Sequence, residues 1–337
     1  MPVPLSNRVT APQTAPLPDA GLRWRGATAA DVDLVLALYR SADGVDHPHY
    51  RSTREEIEDD LTSSWVDAER DCLLGFDGDE LVAQAAASLS PTREPAARVF
   101  LWGVVRPDHR GRGVGRQLLA WQRARALQHL ATVDDAVPGW IWSMVDDTAS
   151  ATRRLFEAAG FPVARWFQEL RLRFDGPPPE AALPPGLAFA PWDAADREEL
   201  RGVKNAVFAD HWGSQANTEE QWARRVSAPV VRPDLSLLAR TAEGEVAGFV
   251  LAEVDEGDWP GTGFSFTYLP LVGVTRAWRG RGVARAMLAE VLRRARDAGL
   301  EGAVLGVDSE NPSGATRLYA SVGFEPATGS VAFVQEV

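Results

Sequence analysis

The sequence has 337 residues, of which 45% are apolar and 24% are charged, and its formal net charge is −12. This length accommodates two domains of ordinary size, and this composition is that of a globular protein with a core in each. The acidic balance argues against a nucleic-acid partner, which requires a basic face. No run approaches the roughly 20 apolar residues of a membrane span, so a cytoplasmic protein is expected.

The start of the chain and its single cysteine carry no catalytic signal. Residues 1–21 are rich in proline and lack an apolar core, which predicts a loose arm rather than a signal peptide. Cys72 lies in the apolar run DCLLGF, where we expect a buried, unreactive thiol. A single cysteine excludes an intramolecular disulfide and a multi-cysteine metal site. His47 and His49 are a weak metal signal, which we interpret as a surface loop near the substrate entrance, so no metal is predicted.

A proline-rich segment, residues 175–186, divides the sequence into two halves. Its composition predicts a semi-rigid linker between domain 1, residues 22–174, and domain 2, residues 187–337. Three landmarks recur in the same order: AADVDLV with AADREEL, RGRGVG with RGRGVA, and RLFEAAGF with RLYASVGF. Ordered recurrence at nearly constant offset indicates a duplicated domain.

Each half is predicted to contain the same elements in the same order. A helix with an acidic cap comes first, over residues 31–39 and 196–207. Apolar strands follow, ELVAQAAASL and ARVFLWGVV in the first half and EVAGFVLAEV and FSFTYLPLVGV in the second. After the Arg/Gly loop come an amphipathic helix, a further strand, a short helix ending at Gly-Phe and a closing β segment. This order predicts a mixed α/β domain, used twice.

The two Arg/Gly loops, residues 110–115 and 279–284, have the features of an anion site. Glycines allow the backbone to approach a ligand, and the first N–H groups of the following helix have no intrahelical partners. The nucleotide-binding patterns GxxxxGK[ST] and GxGxxG are both absent. Recurrence of the loop in two strand–loop–helix settings favours phosphate binding over a solvent-exposed turn.

The longer segments VVRPDHRGRGVGRQLL and VGVTRAWRGRGVARAML resemble the acetyl-CoA-binding motif of the GNAT acetyltransferase superfamily. ENPSGATRLYASVGF resembles a later motif of that superfamily, so the resemblance covers nearly all of both halves. It implies an α/β (α+β) fold of two tandem GNAT-type domains. Each would be a mixed, mostly antiparallel sheet with a splayed strand pair, flanked by helices. Pro270, inside a run that otherwise reads as a strand, suits the bulge that the family places there.

The resemblance also implies which residues hold acetyl-CoA, the co-substrate. The loop amides would bind the pyrophosphate, and an N–H of the bulged strand would polarise the thioester carbonyl. In the second half the implied residues are Val272, Gly273, Val274, Arg279, Gly280, Arg281, Gly282, Val283, Ala284, Arg285 and Asn311. In the first half they are Val104, Val105, Arg110, Gly111, Arg112, Gly113, Val114, Gly115 and Arg116.

The two halves differ at positions that carry chemistry. Tyr319 stands where the family often uses a tyrosine as general acid, whereas its counterpart Phe156 has no proton to donate. Asn311 is matched by Thr148 in the first half. We therefore predict that domain 2 is catalytic and that domain 1 is degenerate.

Two candidates for the general base stay open. Glu253 lies on the strand before the bulged one, where the family often keeps an acidic residue. His211, in FADHWG, is the second candidate because its ordinary pKa suits proton transfer near neutrality. Tyr268 is expected to line the same cleft.

The implied function is N-acetyl transfer from acetyl-CoA to a primary amine, by direct attack through a tetrahedral intermediate. A tandem protein with a better-preserved second half resembles the mycothiol synthases of this superfamily, which acetylate a cysteinyl amine on a sugar–inositol thiol. The acceptor itself stays open among small metabolites, aminoglycosides and protein N-termini, with a small molecule favoured. The alternative is a non-catalytic acetyl-CoA-sensing or scaffold protein. We expect a monomer, a pseudo-dimer of its two domains, or a weak homodimer.

Overall fold

The structure is a computed structural model, and it describes residues 3–177, 179–310 and 314–337. Contacts divide the chain into two compact units. Unit 1 consists of Met1–Arg165 and Ser330–Val337, and unit 2 consists of Trp166–Gly329.

Unit 1 is a mixed sheet with helices on its faces. Its helices are α1 (Val32–Asp46), α2 (Arg54–Thr62), α3 (Ala68–Asp71), α4 (Val114–Leu130) and α5 (Ser150–Ala158). Its strands are β1 (Arg23–Gly26), β2 (Cys72–Asp77), β3 (Glu80–Leu89), β4 (Ala97–Val105), β5 (Gly139–Asp146) and the last part of β12 (Glu325–Glu336). These strands follow one another in this order across the sheet, and only the β4–β5 pair among those described is parallel.

Unit 2 repeats this plan. Its helices are α6 (Arg197–Phe208), α7 (Glu219–Ser227), α8 (Trp259–Thr262), α9 (Val283–Asp297) and α10 (Ala315–Ser321). Its strands are β6 (Val163–Arg173), β7 (Leu187–Pro191), β8 (Leu237–Thr241), β9 (Val246–Glu253), β10 (Phe266–Val274) and β11 (Gly302–Asp308). The order across the sheet is β6-β11-β10-β9-β8-β7. Among the strand pairs of this unit that the structure describes, only β10–β11 is parallel. The predicted fold, a mostly antiparallel sheet flanked by helices, is confirmed in both units.

The closing strands are exchanged between the two sequence repeats. Strand β6 closes the first repeat in sequence, yet it pairs with β11 of the second repeat. Strand β12 closes the second repeat, yet its last part pairs with β5 of the first. The predicted domain ranges, 22–174 and 187–337, follow the sequence repeat. The contacts instead group most of β6 with unit 2 and the last part of β12 with unit 1. A sequence repeat marks a strand but not its pairing partner, which is a non-local choice.

The parallel strand pair opens in both units. Strand β4 pairs with β5 only from Ala97 to Phe100, and the rest of β4 runs free of that neighbour. Strand β10 pairs with β11 only from Phe266 to Tyr268. A gap therefore opens between the two strands towards the end of β4 and of β10, directly before each Arg/Gly loop.

The helices after the loops are held by apolar stripes that the sequence predicts. Met287, Leu288, Val291 and Leu292 of α9 are all buried in one core cluster with β9, β10 and β11. Burial of four such side chains contributes several kcal/mol, at roughly 1.5–3 kcal/mol each. This packing fixes the start of α9 relative to the sheet.

Two local features differ from the expectations. Helix α1 continues to Asp46, beyond the predicted end at residue 39, because Ala42 and Asp43 extend its buried face. The N-terminal segment is tied down rather than loose, since Leu5 is completely buried and its N–H donates to the carbonyl of Asp135 at 2.9 Å. Gly139 makes room for Leu5, because a Cβ at Gly139 would approach that side chain to 3.1 Å. Within the described ranges, no helix is both long enough and apolar enough to cross a membrane.

Candidate functional site

The two Arg/Gly loops have the same backbone conformation. Gly111 and Gly113 have φ of 77° and 82°, and Gly280 and Gly282 have φ of 72° and 83°. Only glycine adopts this left-handed conformation without a steric cost, so the loop backbone requires both glycines of the Gly-Arg-Gly pattern. The second glycine of each loop is the residue from which helix α4 or α9 starts.

The helix starts at these loops are suited to an anion. Neither α4 nor α9 has a side-chain cap or an acidic residue in its first turn. The first N–H groups of a helix have no intrahelical partner and form the positive end of the helix dipole, and here no side chain of the cap position or first turn occupies them. A Cβ built on Gly111, Gly280 or Gly282 meets no atom within 4 Å, so the space above the loops is open.

The first arginine of each loop ties the loop to its own unit. Arg110 donates from Nε to the carbonyl of Val105 at 2.9 Å and makes two bonds, of 2.8 and 2.6 Å, to the carboxylate of Asp46. Arg279 donates to the carbonyl of Val274 at 3.2 Å and to that of Val207 at 2.9 Å. These two side chains position the loop, which leaves ligand contacts to the backbone amides and the later arginines.

In unit 1 the strand gap is a cavity of about 590 Å³. All residues from Leu101 to Val105 of β4 line it, and so do those from Ser143 to Val145 of β5. The cavity reaches the loop residues Arg110, Gly111, Gly113, Val114, Gly115 and Arg116. It also reaches Tyr39 and His47 of the α1 region, so it passes from the loop towards the helix-covered face of the sheet.

Polar side chains line the far end of this cavity. Tyr39 donates its hydroxyl to Oε1 of Gln84 at 2.9 Å, and Gln84 in turn contacts Sγ of Cys72 at 3.1 Å. As expected, Cys72 is buried, and burial raises the pKa of its thiol to about 12. His47, which also lines the cavity, has its Nδ1 2.6 Å from the carboxylate of Asp146. Within the described residues, no group of three or more His, Cys, Asp or Glu side chains could hold a metal.

Unit 2 has an irregularity where unit 1 is regular. Glu253 of β9 lies directly opposite Tyr268 of β10, and the register then shifts before Leu271 pairs with Leu251. Pro270 lies inside this irregularity, as the sequence predicts. Strands β3 and β4 pair without a shift. Such an irregularity bends the strand and changes the direction of its backbone groups. Here it directly precedes Val272, Gly273 and Val274, which border the strand gap.

Glu253 and Tyr268 lie on the side of the sheet that α6 and α7 cover. Arg225 of α7 lies 3.7 Å from the Glu253 carboxylate. Burial raises the pKa of Tyr268 to about 12, with Glu169 and Glu253 as further causes. Tyr268 therefore stays protonated near neutral pH and can donate a hydrogen bond.

Tyr319 lies on the opposite side of the sheet, in the core cluster that contains α9. Its ring meets Phe324 edge-on at 6.0 Å between centroids, and burial, followed by Tyr268, raises its pKa to about 12. In unit 1 the corresponding Phe156 meets Phe161 edge-on at 5.2 Å, so the packing is repeated without the hydroxyl. Asn311 lies outside the described residues.

His211 lies beside the loop of unit 2 rather than beside Glu253. Its ring is 4.7 Å from that of Phe208. Burial, followed by Arg279, lowers its pKa, and the acidic groups that oppose this shift are Asp210 and Asp308. The structure thus groups Glu253 with Tyr268, and it places His211 near the loop arginine.

Sequence reasoning missed Lys204, although a simple signal was present. Lys204 is the only lysine among the 35 basic residues of the chain. It lies on the inner face of α6, between the buried Leu200 and Val207, and it is only 7% exposed. The composition alone singles out this lysine, whereas its burial is visible only in the structure.

The fold and the loops define an acetyltransferase of the GNAT class. A family model described as "Acetyltransferase (GNAT) family" matches residues 198–324, and one described as "Acetyltransferase (GNAT) domain" matches residues 68–163. The chain belongs to this family, and acetyl-CoA is its co-substrate. The open loops and the splayed strand gap fit that molecule.

Among characterised proteins, the chain is similar to mycothiol acetyltransferases. It is 33% identical to the mycothiol acetyltransferase of Thermobispora bispora over 91% of this chain and 96% of that protein. It is 29% identical to that of Streptomyces coelicolor over 88% of this chain and 89% of that protein.

Solved structures show the same tandem architecture. A GCN5-related N-acetyltransferase from Sphaerobacter thermophilus superimposes with a TM-score of 0.68 and 25% identity, covering 95% of this chain and 97% of that one. A tandem GNAT protein from the clavulanic acid biosynthesis pathway superimposes with a TM-score of 0.68 over 94% of this chain and 98% of that one. At 18% identity, the second likeness concerns the fold alone.

Proposed function

We propose that the protein is an N-acetyltransferase whose chemistry takes place in unit 2, with a small-molecule primary amine as acceptor. The observation that carries this proposal is the pair of Glu253 and Tyr268, directly opposite each other at the irregularity of β10. In unit 1 the matching cross-strand pair is Ser88 and Phe100, neither of which titrates.

Glu253 is proposed as the general base. An amine acceptor is protonated near neutral pH, since its pKa is near ~10, and it must lose a proton before it attacks. The Glu253 carboxylate is only partly exposed and has Arg225 as a weak, 3.7 Å partner, so it can exchange that partner for the acceptor ammonium. Tyr268 stays protonated beside it and orients the amine.

Tyr319 is proposed as the general acid. Its raised pKa keeps the phenol protonated, and it lies in the core on the side of α9, whose first turn would hold the pyrophosphate of acetyl-CoA. Backbone N–H groups near Val272 to Val274 polarise the thioester carbonyl, and direct attack by the amine gives a tetrahedral intermediate. The phenol then donates a proton to the departing thiolate.

Both loops are proposed to hold acetyl-CoA, because both have the same backbone and an uncapped helix start. Unit 1 lacks the carboxylate and both phenols, so it binds without turnover. His211 is proposed to support the unit 2 loop. The names of the relatives put the cysteinyl amine precursor of mycothiol among the acceptors to test, beside amines that carry a carboxylate or a phosphate.

The experiment measures thiol release from acetyl-CoA with a panel of amines, this precursor included. It uses the wild type, Gly282→Val and Gly113→Val. A β-branched residue cannot adopt the left-handed conformation of these glycines without strain. We expect Gly282→Val to abolish turnover and Gly113→Val to retain it. The opposite result would move the chemistry to unit 1.

Two further outcomes separate the alternatives. Binding of acetyl-CoA by the wild type without turnover on any amine would favour a non-catalytic acetyl-CoA-sensing protein. Retention of turnover by both variants would show that neither loop is required for the reaction.

A further inference from the structure

We propose that the acceptor acetylated in unit 2 carries an anionic group, a carboxylate or a phosphate, as well as its amine, and that Lys204 with Arg225 binds this group. This inference rests on the proposed function and specifies its substrate class.

The ammonium of Lys204 has hydrogen-bond acceptors that carry no charge. Its Nζ donates to the carbonyl of Gln215 at 3.1 Å, and its next contact, to Oδ1 of Asn205, is 3.5 Å long. That amide oxygen already accepts from the N–H of Asn217 at 2.8 Å. An ammonium has three N–H donors, and a buried one is costly unless it is paired. Among the described residues, no acidic side chain forms an ion pair with Lys204.

Arg225 of α7 is a second cation beside the proposed base. Arg225 pairs with Glu253 at 3.7 Å. Burial, followed by the charge of Arg225, lowers the pKa of Lys204 to about 8. An acceptor ammonium bound to Glu253 would share this carboxylate with Arg225. Lys204, Arg225 and the ammonium would then be opposed by one carboxylate, and an anionic group on the acceptor would compensate the excess positive charge.

The two sequence repeats can be aligned residue by residue around these positions. A constant offset of 165 residues relates Asp31 to Asp196 before the first helices, and Thr53 to Thr218, the N-caps of α2 and α7. The same offset relates Tyr39 to Lys204, Asp60 to Arg225 and Ser88 to Glu253. The two helix positions therefore carry a phenol and an acid in unit 1, and two cations in unit 2.

The same alignment supports a position of Lys204 at the wall of the proposed acceptor cleft. Tyr39, at the matching position, lines the cavity that reaches the loop of unit 1. The hydroxyl of Tyr39 donates to Gln84 of strand β3. The residue of unit 2 that matches Gln84 is the apolar Phe249. Lys204 therefore has no polar side chain at this matching position of the sheet, and a ligand group in the cleft would supply one.

Kinetics on matched acceptors test the proposal. The pairs are amino acids with their carboxamides, and O-phosphoethanolamine with ethanolamine, which separate carboxylate from phosphate. We expect the wild type to prefer the anionic member of a pair. Lys204→Met should raise the KM for that member about 10- to 100-fold, the range for a hydrogen bond to a charged group, with the KM for acetyl-CoA unchanged.

Matched variants separate binding from structure. Lys204→Arg keeps the charge and should retain most of the preference, and Lys204→Tyr introduces the residue of unit 1 and should lose it. Arg197→Gln removes an exposed cation of the same helix and should have no effect. Equal KM values for both members of every pair, or equal losses on both in Lys204→Met, would overturn the proposal while leaving acetyl transfer intact.

A second readout does not depend on turnover. Because the chain has one lysine, protein grown on [¹³C]lysine gives one lysine side-chain signal, whose titration reports the pKa of Lys204 directly. We expect this pKa to rise on addition of the anionic probe and to stay unchanged with its neutral partner. A signal that no carboxylate or phosphate probe moves would refute the anion site. Failure of acetyl transfer with a moving signal would instead refute the proposed function alone.

Discussion

Glu253 and Tyr268 face each other across β9 and β10 at the last paired position before the register of the two strands shifts. Their side chains lie on the same face of the sheet, because directly opposite residues of an antiparallel pair point the same way. This places a carboxylate and a neutral phenol at the point where the strand gap opens. The arrangement supports proton abstraction from an amine that enters from the side of α6 and α7.

Glu253→Gln is expected to lower kcat/KM about 10²- to 10³-fold at pH 7, within the usual range for a general base. The loss should shrink as the pH approaches the pKa of the acceptor amine, because solvent then supplies the free amine. A pH–rate profile measures both effects. Glu256→Gln, which alters an exposed carboxylate in the connection after β9, should leave the profile unchanged. A pH-independent loss would argue for a structural role of Glu253.

Tyr319→Phe is expected to lower kcat about 10²-fold, at the low end for a general acid because a thiolate leaves readily. The KM for acetyl-CoA should change little, since the ring stays in place. Phe156 shows that this position accepts phenylalanine in unit 1, with the same edge-on neighbour. Steady-state kinetics, with thermal unfolding as a control, measure this. An unchanged kcat would mean that the phenol only packs.

Cys72 is expected to resist thiol reagents in the folded protein at pH 8. It is buried, and burial raises the pKa of the thiol to about 12, so the reactive thiolate is scarce. A colorimetric disulfide reagent should label the chain slowly under native conditions and at one site per chain in denaturant. Fast labelling of the folded protein would show that β2 opens readily.

Asp71→Ala is expected to destabilise the fold by about 3 kcal/mol near pH 7, because it leaves buried partners without their carboxylate. Asp71 is buried and accepts from Arg125 at 2.8 Å, and His129 Nε2 lies 2.9 Å away. Burial would raise its pKa, yet the bonds to His129 and Arg125 lower it overall. Asp33→Ala, which breaks an exposed pair with Arg54, should cost far less than Asp71→Ala, because solvent screens an exposed pair.

The pH dependence of that difference has a definite sign. A carboxyl whose pKa is lowered in the folded state stabilises the fold above its unfolded pKa, near ~4, and loses this contribution as the pH falls through the folded value. Denaturant unfolding of the wild type and of Asp71→Ala should therefore converge below about pH 4. A gap that persists at low pH would indicate packing rather than charge as the cause.

Local patterns in the sequence alone predicted many features of this protein. The repeat, the helix after each loop and the glycine requirement of the loops depend on neighbouring residues and on backbone conformation. The difference between Tyr319 and Phe156 is likewise readable once the repeats are aligned. Pro270 marked the irregularity because proline removes a ladder hydrogen bond.

Tertiary structure decided what depends on distant partners. Both closing strands have the same pattern, so only packing selects β11 as the partner of β6 and β5 as the partner of β12. Register places Glu253 opposite Tyr268, and a shift of one residue would turn Glu253 to the other face. How α6 packs on the sheet decides that Lys204 is buried and that, within residues 3–177, 179–310 and 314–337, it forms no ion pair with an acidic side chain. Burial and pairing belong to the three-dimensional neighbourhood, and for this reason a sequence read alone shows the lysine but not its isolation.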